Sequence, residues 1–200
     1  MHYEIEPNTR FGEQMLVGLT GLNASGKTTI VEWFSDLGFG ASSCSNSIRI
    51  WLTEQGLEET RDNLRQGGRT LREQGGAGVL AEMLLAQIGD DENFAIDSIR
   101  TPAEVNALRV RQDFILLEVR AERDARWHRL VSRNRIGDAE NYEQFVAQEQ
   151  AELTAADSSG QALTATAEIA DLIIDNNGTL DELYHSLEQL IELLAKKNHT

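Results

Sequence analysis

One cysteine, Cys44, stands in 200 residues, so no intramolecular disulfide can form and the chain must fold on buried surface alone. A small buried side chain is the expected role for it. Lysine is nearly as scarce. Lys27, Lys196 and Lys197 stand against fifteen arginines, which leaves Lys27 as the sole lysine between residues 1 and 195. No run approaches the ~20 apolar residues of a membrane-spanning helix. The polar segment Met1–Gln14 also lacks the apolar core of a secretory signal. A soluble, cytoplasmic protein is the expectation. Basic excess is missing too: the formal net charge is −15, which argues against nucleic-acid or membrane partners, both of which need a basic surface. Any anionic ligand must meet arginines gathered locally. His2, His128, His185 and His199 show no metal-ligand spacing with the cysteine, so no zinc site is expected.

What is present reads as one α/β domain over residues 1–200, long enough to bury about 70% of its unfolded surface. Met15–Thr20 is a short apolar run suited to a buried central strand, and Ile30, Val31, Phe34 and Leu37 mark a helix ending near Gly38. Phe39–Ser43 reads as a second strand. Residues 45–90 form a helical insert. Ile48, Trp51 and Leu52 lie at its start and Leu80, Met83, Leu84 and Ile88 at its end. Gly67, Gly68, Gly75, Gly76 and Gly78 between them predict a turning or mobile cover.

Asn93–Asp97 and Phe114–Val119 are the third and fourth strands. Thr101, Pro102 and Glu104 supply N-cap, first-turn proline and capping-box acid to the helix between them. Arg123–Arg133 is helical with Trp127, Leu130 and Val131 as its apolar stripe, and a further helix carries Tyr142, Phe145, Val146 and Leu153. Residues 155–166 read as a loop and Leu172–Ile174 as a last strand. Leu180, Leu183, Tyr184, Leu187, Leu190, Ile191 and Leu194 then recur with helical spacing. Strands alternating with helices imply a parallel sheet with right-handed crossovers. Trp33, Trp51 and Trp127 fall on apolar helix faces and read as core, Trp51 being notable for lying in the insert.

Chemistry concentrates at Gly21-Leu22-Asn23-Ala24-Ser25-Gly26-Lys27-Thr28, which has the spacing glycine, four residues, glycine, lysine, then serine or threonine. The glycines let the backbone curl so that amides from Asn23 to Thr29 can point at phosphate oxygens, with the next helix's dipole behind them. Lys27 places a charge on the β- and γ-phosphates, and the Thr28 hydroxyl can ligate Mg²⁺. A nucleoside triphosphate, ATP with Mg²⁺, is the ligand this loop implies. Asp97 closes the third strand at the sheet edge where ligands bind, where it could hold a metal-bound water, orient an acceptor hydroxyl, or simply cap the next turn. Arginines suit the charge moving in phosphoryl transfer. Arg49, Arg72 and Arg100 flank the insert and Asp97. Arg126, Arg129 and Arg133 share one helical face, with Arg135 just beyond it.

With these segments in hand, the chain resembles the P-loop nucleotide kinases: adenylate and cytidylate kinases, dephospho-CoA kinase and their relatives. It looks closest to a dephospho-CoA-kinase-like group. The likeness runs from residue 15 to about 193 through GLNASGKTT, SNSIR, LREQGG, AIDSIRTPAEV, SRNRIGD and DLIIDNNGTLDEL. It implies a three-layer fold with a five-stranded parallel sheet in order 2-3-1-4-5, residues 45–90 binding the acceptor and residues 134–165 forming a lid. Arg49, Arg72, Asp97 and Arg100 would face the acceptor, while Arg129 and Arg133 would approach the ATP. Lys27, Asp97, Arg129 and Arg133 would carry catalysis, with Thr28 and Asp97 on the metal. The activity implied is γ-phosphoryl transfer to a nucleotide, nucleoside or CoA-like acceptor by a monomer or homodimer. Asn46 stands where relatives often have aspartate, and Gln148 where they have arginine. Those departures keep open a nucleotide-binding regulator or slow ATPase acting through a protein partner.

Overall fold

The structure, a computed structural model, describes residues 14–89, 92–134, 138–154 and 162–197. Five strands form one sheet: β1 (Leu16–Thr20), β2 (Gly40–Ser43), β3 (Phe94–Asp97), β4 (Phe114–Arg120) and β5 (Leu172–Asp175). Their order is β2-β3-β1-β4-β5 and every pairing is parallel. β1 occupies the centre because all five of its residues are apolar enough, or small enough, to be buried on both faces.

Side-chain alternation along the strands divides the core in two. Val17, Leu19, Leu117, Val119 and Ile174 point to one face, where α1 (Lys27–Asp36) and α9 (Leu180–Lys197) cover them with Ile30, Phe34, Leu183, Leu187 and Ile191. Leu16, Ile96, Phe114 and Leu116 point to the other. That face is covered by α2 (Cys44–Glu54), α4 (Val79–Leu85) and α5 (Pro102–Leu108), through Ile48, Leu52, Leu80, Leu84, Val105 and Leu108. The result is the three-layer arrangement that alternating strands and helices imply. Among the described residues, no helix is long and apolar enough to cross a membrane.

The α5 start forms as its residues dictate. Thr101 Oγ1 accepts from the Glu104 amide at 3.1 Å, and Glu104 Oε2 accepts from the Thr101 amide at 3.2 Å, so two donors at the helix end are satisfied reciprocally. Cys44 is buried at the start of α2, and burial, reinforced by nearby Glu104, raises its thiol pKa well above the ordinary value.

Four details depart from the sequence pattern. Gly67 and Gly68 lie inside α3 (Arg61–Gly75), not in a connection. A Cβ at Gly67 would come 3.0 Å from Ile48 Cγ2 and one at Gly68 2.9 Å from Ile48 Cδ1, so these glycines let α3 press against α2. The 155–166 segment is partly helical, α8 covering Leu163–Glu168, while 155–161 lies outside the described residues. On α6 (Arg123–Arg133) Val131 is half exposed and the buried positions are Arg126 and Leu130. Leu180, the first residue of the C-terminal periodic stripe, is likewise half exposed. In the 134–165 segment, α7 (Tyr142–Thr154) is described, whereas 135–137, Arg135 among them, are not.

Candidate functional site

Between β1 and α1 the backbone makes the tight reversal that its glycines permit. Gly21 has φ 137° and Gly26 φ 105°, and Ala24 joins them in the left-handed region at φ 61°. Space as well as torsion demands glycine at 26, where a Cβ would fall 2.1 Å from Asn176 Nδ2. At Gly21 it would fall 2.3 Å from the Val119 carbonyl oxygen. Lys27 Nζ donates to the carbonyls of Gly21 at 2.8 Å and Leu22 at 3.0 Å, so the ammonium is folded over the mouth of the loop. Thr28 is exposed on the first turn of α1, and Thr29 follows it, partly exposed.

The loop is braced from outside. Asn176, just past β5, donates from Nδ2 to the Ser25 carbonyl at 2.8 Å. Arg129 Nη2 donates to the Asn176 carbonyl at 2.8 Å, while its Nη1 reaches the Ser25 carbonyl at 3.4 Å. Burial lowers the Arg129 pKa, yet a guanidinium stays charged at neutral pH. Arg126 donates to the Ala121 carbonyl at 2.9 Å and makes a long 3.5 Å contact to that of Asn23. Arg133 Nη2 donates to Asn23 Oδ1 at 2.9 Å. The carbonyls of Asn23 and Ser25 thus turn toward α6 and Asn176, while within the loop the Ser25 amide donates to the Leu22 carbonyl at 3.2 Å.

Helix α7 docks against this loop by aromatic and ionic contacts. Phe145 is buried with Leu130 and Ala139, and Ala24 and Trp127 pack against that cluster. Glu149 accepts from Arg123 Nε at 2.9 Å and pairs with Arg126 Nη2 at 2.5 Å, and the Arg126 guanidinium lies 5.5 Å from the Phe145 ring centre. Both Arg126 and Glu149 are almost fully buried, their side chains 3% and 5% exposed. A small cavity beside the loop is lined by Leu22, Asn23, Arg126, Phe145, Gln148 and Glu149.

At the β3 end, Asp97 is level with Ser43 in β2, and the Ile99 amide bonds the Leu19 carbonyl, so this edge sits beside the entry to the loop. Asp97 Oδ1 accepts from the Ser98 amide at 2.6 Å, and Ser98 adopts φ 63°, an uncommon torsion for serine. Arg72 pairs with buried Glu104 at 3.2 Å. Its Nε is buried without a hydrogen-bond partner. The Arg100 amide donates to the same Glu104 carboxylate at 2.8 Å. Asp97, Arg72 and Arg100 all act electrostatically on Cys44, which marks them as one charged neighbourhood. Arg49 does not join it closely: its side chain is 42% exposed and pairs with Glu59 at 2.7 Å.

The structure therefore brings Lys27, Arg129 and Arg133 to the loop and gathers Asp97, Arg72 and Arg100 at the neighbouring sheet edge. Three residues at the loop escaped the sequence reading. Asn176 had one cue, its position at the end of the last strand in a DNNG turn. Asp138, five residues beyond Arg133, had charge pairing alone. Glu149 was hidden by its polar neighbours on α7.

The chain matches no protein-family profile. Over 184 residues it is 26% identical to a UPF0200 protein of Staphylothermus marinus, an alignment covering 92% of this chain and 94% of that one. Its backbone superposes on a gluconokinase from Sinorhizobium meliloti with a TM-score of 0.55 and 14% identity, covering 94% of this chain and 97% of that one. For shikimate kinase from Acinetobacter baumannii in complex with shikimate the TM-score is 0.54 and the identity 16%, over 90% and 94% of the two chains. At these identities the likeness establishes the fold alone, an α/β fold with a five-stranded parallel sheet in order 2-3-1-4-5.

Proposed function

We propose that this chain is an ATP-dependent small-molecule kinase, akin to nucleotide and dephospho-CoA kinases, that passes the γ-phosphoryl group to a nucleotide, nucleoside or CoA-like acceptor. The supporting observation is the braced loop with Lys27 over its mouth, flanked by arginines of α6 on one side and by Asp97, Arg72 and Arg100 on the other. Phosphoryl transfer needs positioning and cations more than covalent chemistry, and this arrangement offers both.

In this reading the loop amides and Lys27 hold the β- and γ-phosphates. Arg129 and Arg133 lie where charge develops, and the α2–α4 segment receives the acceptor with Arg72 and Arg100 for its anionic groups, Arg49 joining them only by leaving Glu59. Asp97 orients the acceptor hydroxyl. The acceptor oxygen bonds to the γ-phosphorus as the bridging oxygen departs with ADP, and an acceptor hydroxyl gives up its proton to solvent. Mg²⁺, when bound, neutralises charge on the β- and γ-phosphates. Thr28 and Asp97 are oxygen donors suited to it. Among the described residues no cluster of three His, Cys, Asp or Glu side chains could hold a metal. The protein works in the cytoplasm as a monomer or homodimer, with a small molecule as its partner.

Incubation with ATP, Mg²⁺ and a panel of monophosphates, nucleosides and dephospho-CoA tests this, with acceptor-dependent ADP release expected. Lys27→Ala should lower that turnover at least about a hundredfold while shifting the melting temperature by only a few degrees; normal turnover refutes the assignment. A second reading, a nucleotide-binding regulator or slow ATPase, is favoured by one observation: α7 presents Gln148 and Glu149 to the cavity beside the loop, and no cation. ADP release indifferent to every acceptor, with a nucleotide-dependent protein complex, selects it.

A further inference from the structure

Three arginines of α6 face the loop, and they differ in how firmly each is held. Arg126 is buried between Glu149, the Ala121 carbonyl and the Phe145 ring, and withdrawing it would leave the buried Glu149 carboxylate with the half-exposed Arg123 alone. Arg129 braces backbone, bonding the Asn176 and Ser25 carbonyls, and moving it would unseat the loop. Arg133 is held differently. Its Nε and Nη2 each donate to the Asp138 carboxylate at 2.8 Å, and Nη2 also reaches Asn23 Oδ1 at 2.9 Å. This pair is less enclosed, with side chains 26% and 14% exposed.

We infer that Asp138 is a specificity-determining residue for the nucleotide, an internal competitor whose carboxylate occupies the guanidinium that a terminal phosphate takes. This rests on the ATP-binding reading above. A guanidinium fork accepts two carboxylate oxygens or two phosphate oxygens in the same geometry, so one displaces the other without rebuilding the site. The contact to Asn23 keeps Arg133 at the loop in either state. A triphosphate therefore gains from Arg133 only the difference between phosphate and carboxylate. A diphosphate, one phosphoryl shorter, leaves Arg133 with Asp138. Asp138 thus narrows the preference for triphosphate over diphosphate and returns the arginine once the γ-phosphoryl has gone.

The test is the ratio of ATP to ADP affinity, each measured by calorimetric titration with Mg²⁺ on the full chain. General repulsion from a nearby acid is greater for the more highly charged ATP, and the Arg133→Gln background separates it from competition for the guanidinium. Asp138→Asn should raise it about threefold to tenfold, the scale of a partly exposed charge-assisted pair. Asp138→Ala should do the same, and neither change should raise the ratio as far when Arg133 is already replaced by Gln. An unchanged ratio in both Asp138 variants overturns the inference, as does an equal rise in the Arg133→Gln background. Damage to folding would lower both affinities together and leave the ratio flat, which also counts against it. A wild-type protein that binds neither nucleotide overturns the kinase reading along with it. Wild-type binding with a flat ratio overturns the role of Asp138 alone.

Discussion

Replacing Gly26 by alanine tests the bracing of the phosphate loop most directly. At φ 105° an L-residue is strained by about 1–3 kcal/mol. The new Cβ would also fall 2.1 Å from Asn176 Nδ2, which must leave the Ser25 carbonyl and forfeit a buried hydrogen bond. That loss adds about 1–1.5 kcal/mol. Together the two effects predict a destabilisation of about 2–4 kcal/mol. At about 2–4 °C per kcal/mol for a chain of this size, the melting temperature falls by roughly 5–15 °C. Thermal unfolding followed by circular dichroism measures this, and the shift produced by ATP reports the loop itself. Ligand at a hundred times its dissociation constant stabilises a native state by about 2.7 kcal/mol, and Gly26→Ala should erase that gain. The contributions separate in an Asn176→Ala background. There the collision and the hydrogen bond are already gone, so Gly26→Ala should cost only the torsional part. If Gly26→Ala is equally harmful with and without the Asn176 side chain, the latch between these two positions does not exist.

Two further outcomes follow from buried groups. Glu149→Ala leaves the buried Arg126 without its counter-charge, and urea unfolding should register a loss of about 3–5 kcal/mol; a loss below about 1 kcal/mol would rank the pair with surface ion pairs. Cys44, with its pKa raised by burial, should exist as thiol throughout the neutral range, so a thiol reagent at pH 8 should label it only under unfolding conditions, and rapid labelling of native protein would contradict its enclosure.

Features with local causes were legible in the residues. The strand-loop-helix at 16–36 follows from an apolar run, two glycines forced to positive φ and a helical stripe, and the α5 start follows from a three-residue capping pattern. What escaped depends on distant partners. Gly67 and Gly68 read as loop because glycine lowers helix propensity, but Ile48 and Trp51 of α2 need the space a side chain would fill. Arg126 reads as one of three arginines on a shared helical face, yet Glu149 arrives from α7 to neutralise it and it is buried. Asn176 acquires its role because the last strand ends close to the loop, a proximity set by sheet order and not by spacing along the chain. The arginine face of α6 was legible from periodicity. Its use as a brace for loop carbonyls was not, because acceptor geometry is invisible in a pattern of side chains.

The central position of β1 has a bearing on how the molecule assembles. Leu16 lies beside Phe94 on one flank and Phe114 on the other, so the strand that feeds the phosphate loop pairs only with segments far along the chain. Such distant pairings close slowly, because the ordering of the intervening chain comes before any reward from contact. During synthesis the strand ahead of the loop therefore waits for residues made long after it, and a ribosome-bound fragment stopping short of Phe114 would leave one flank of that strand unpaired.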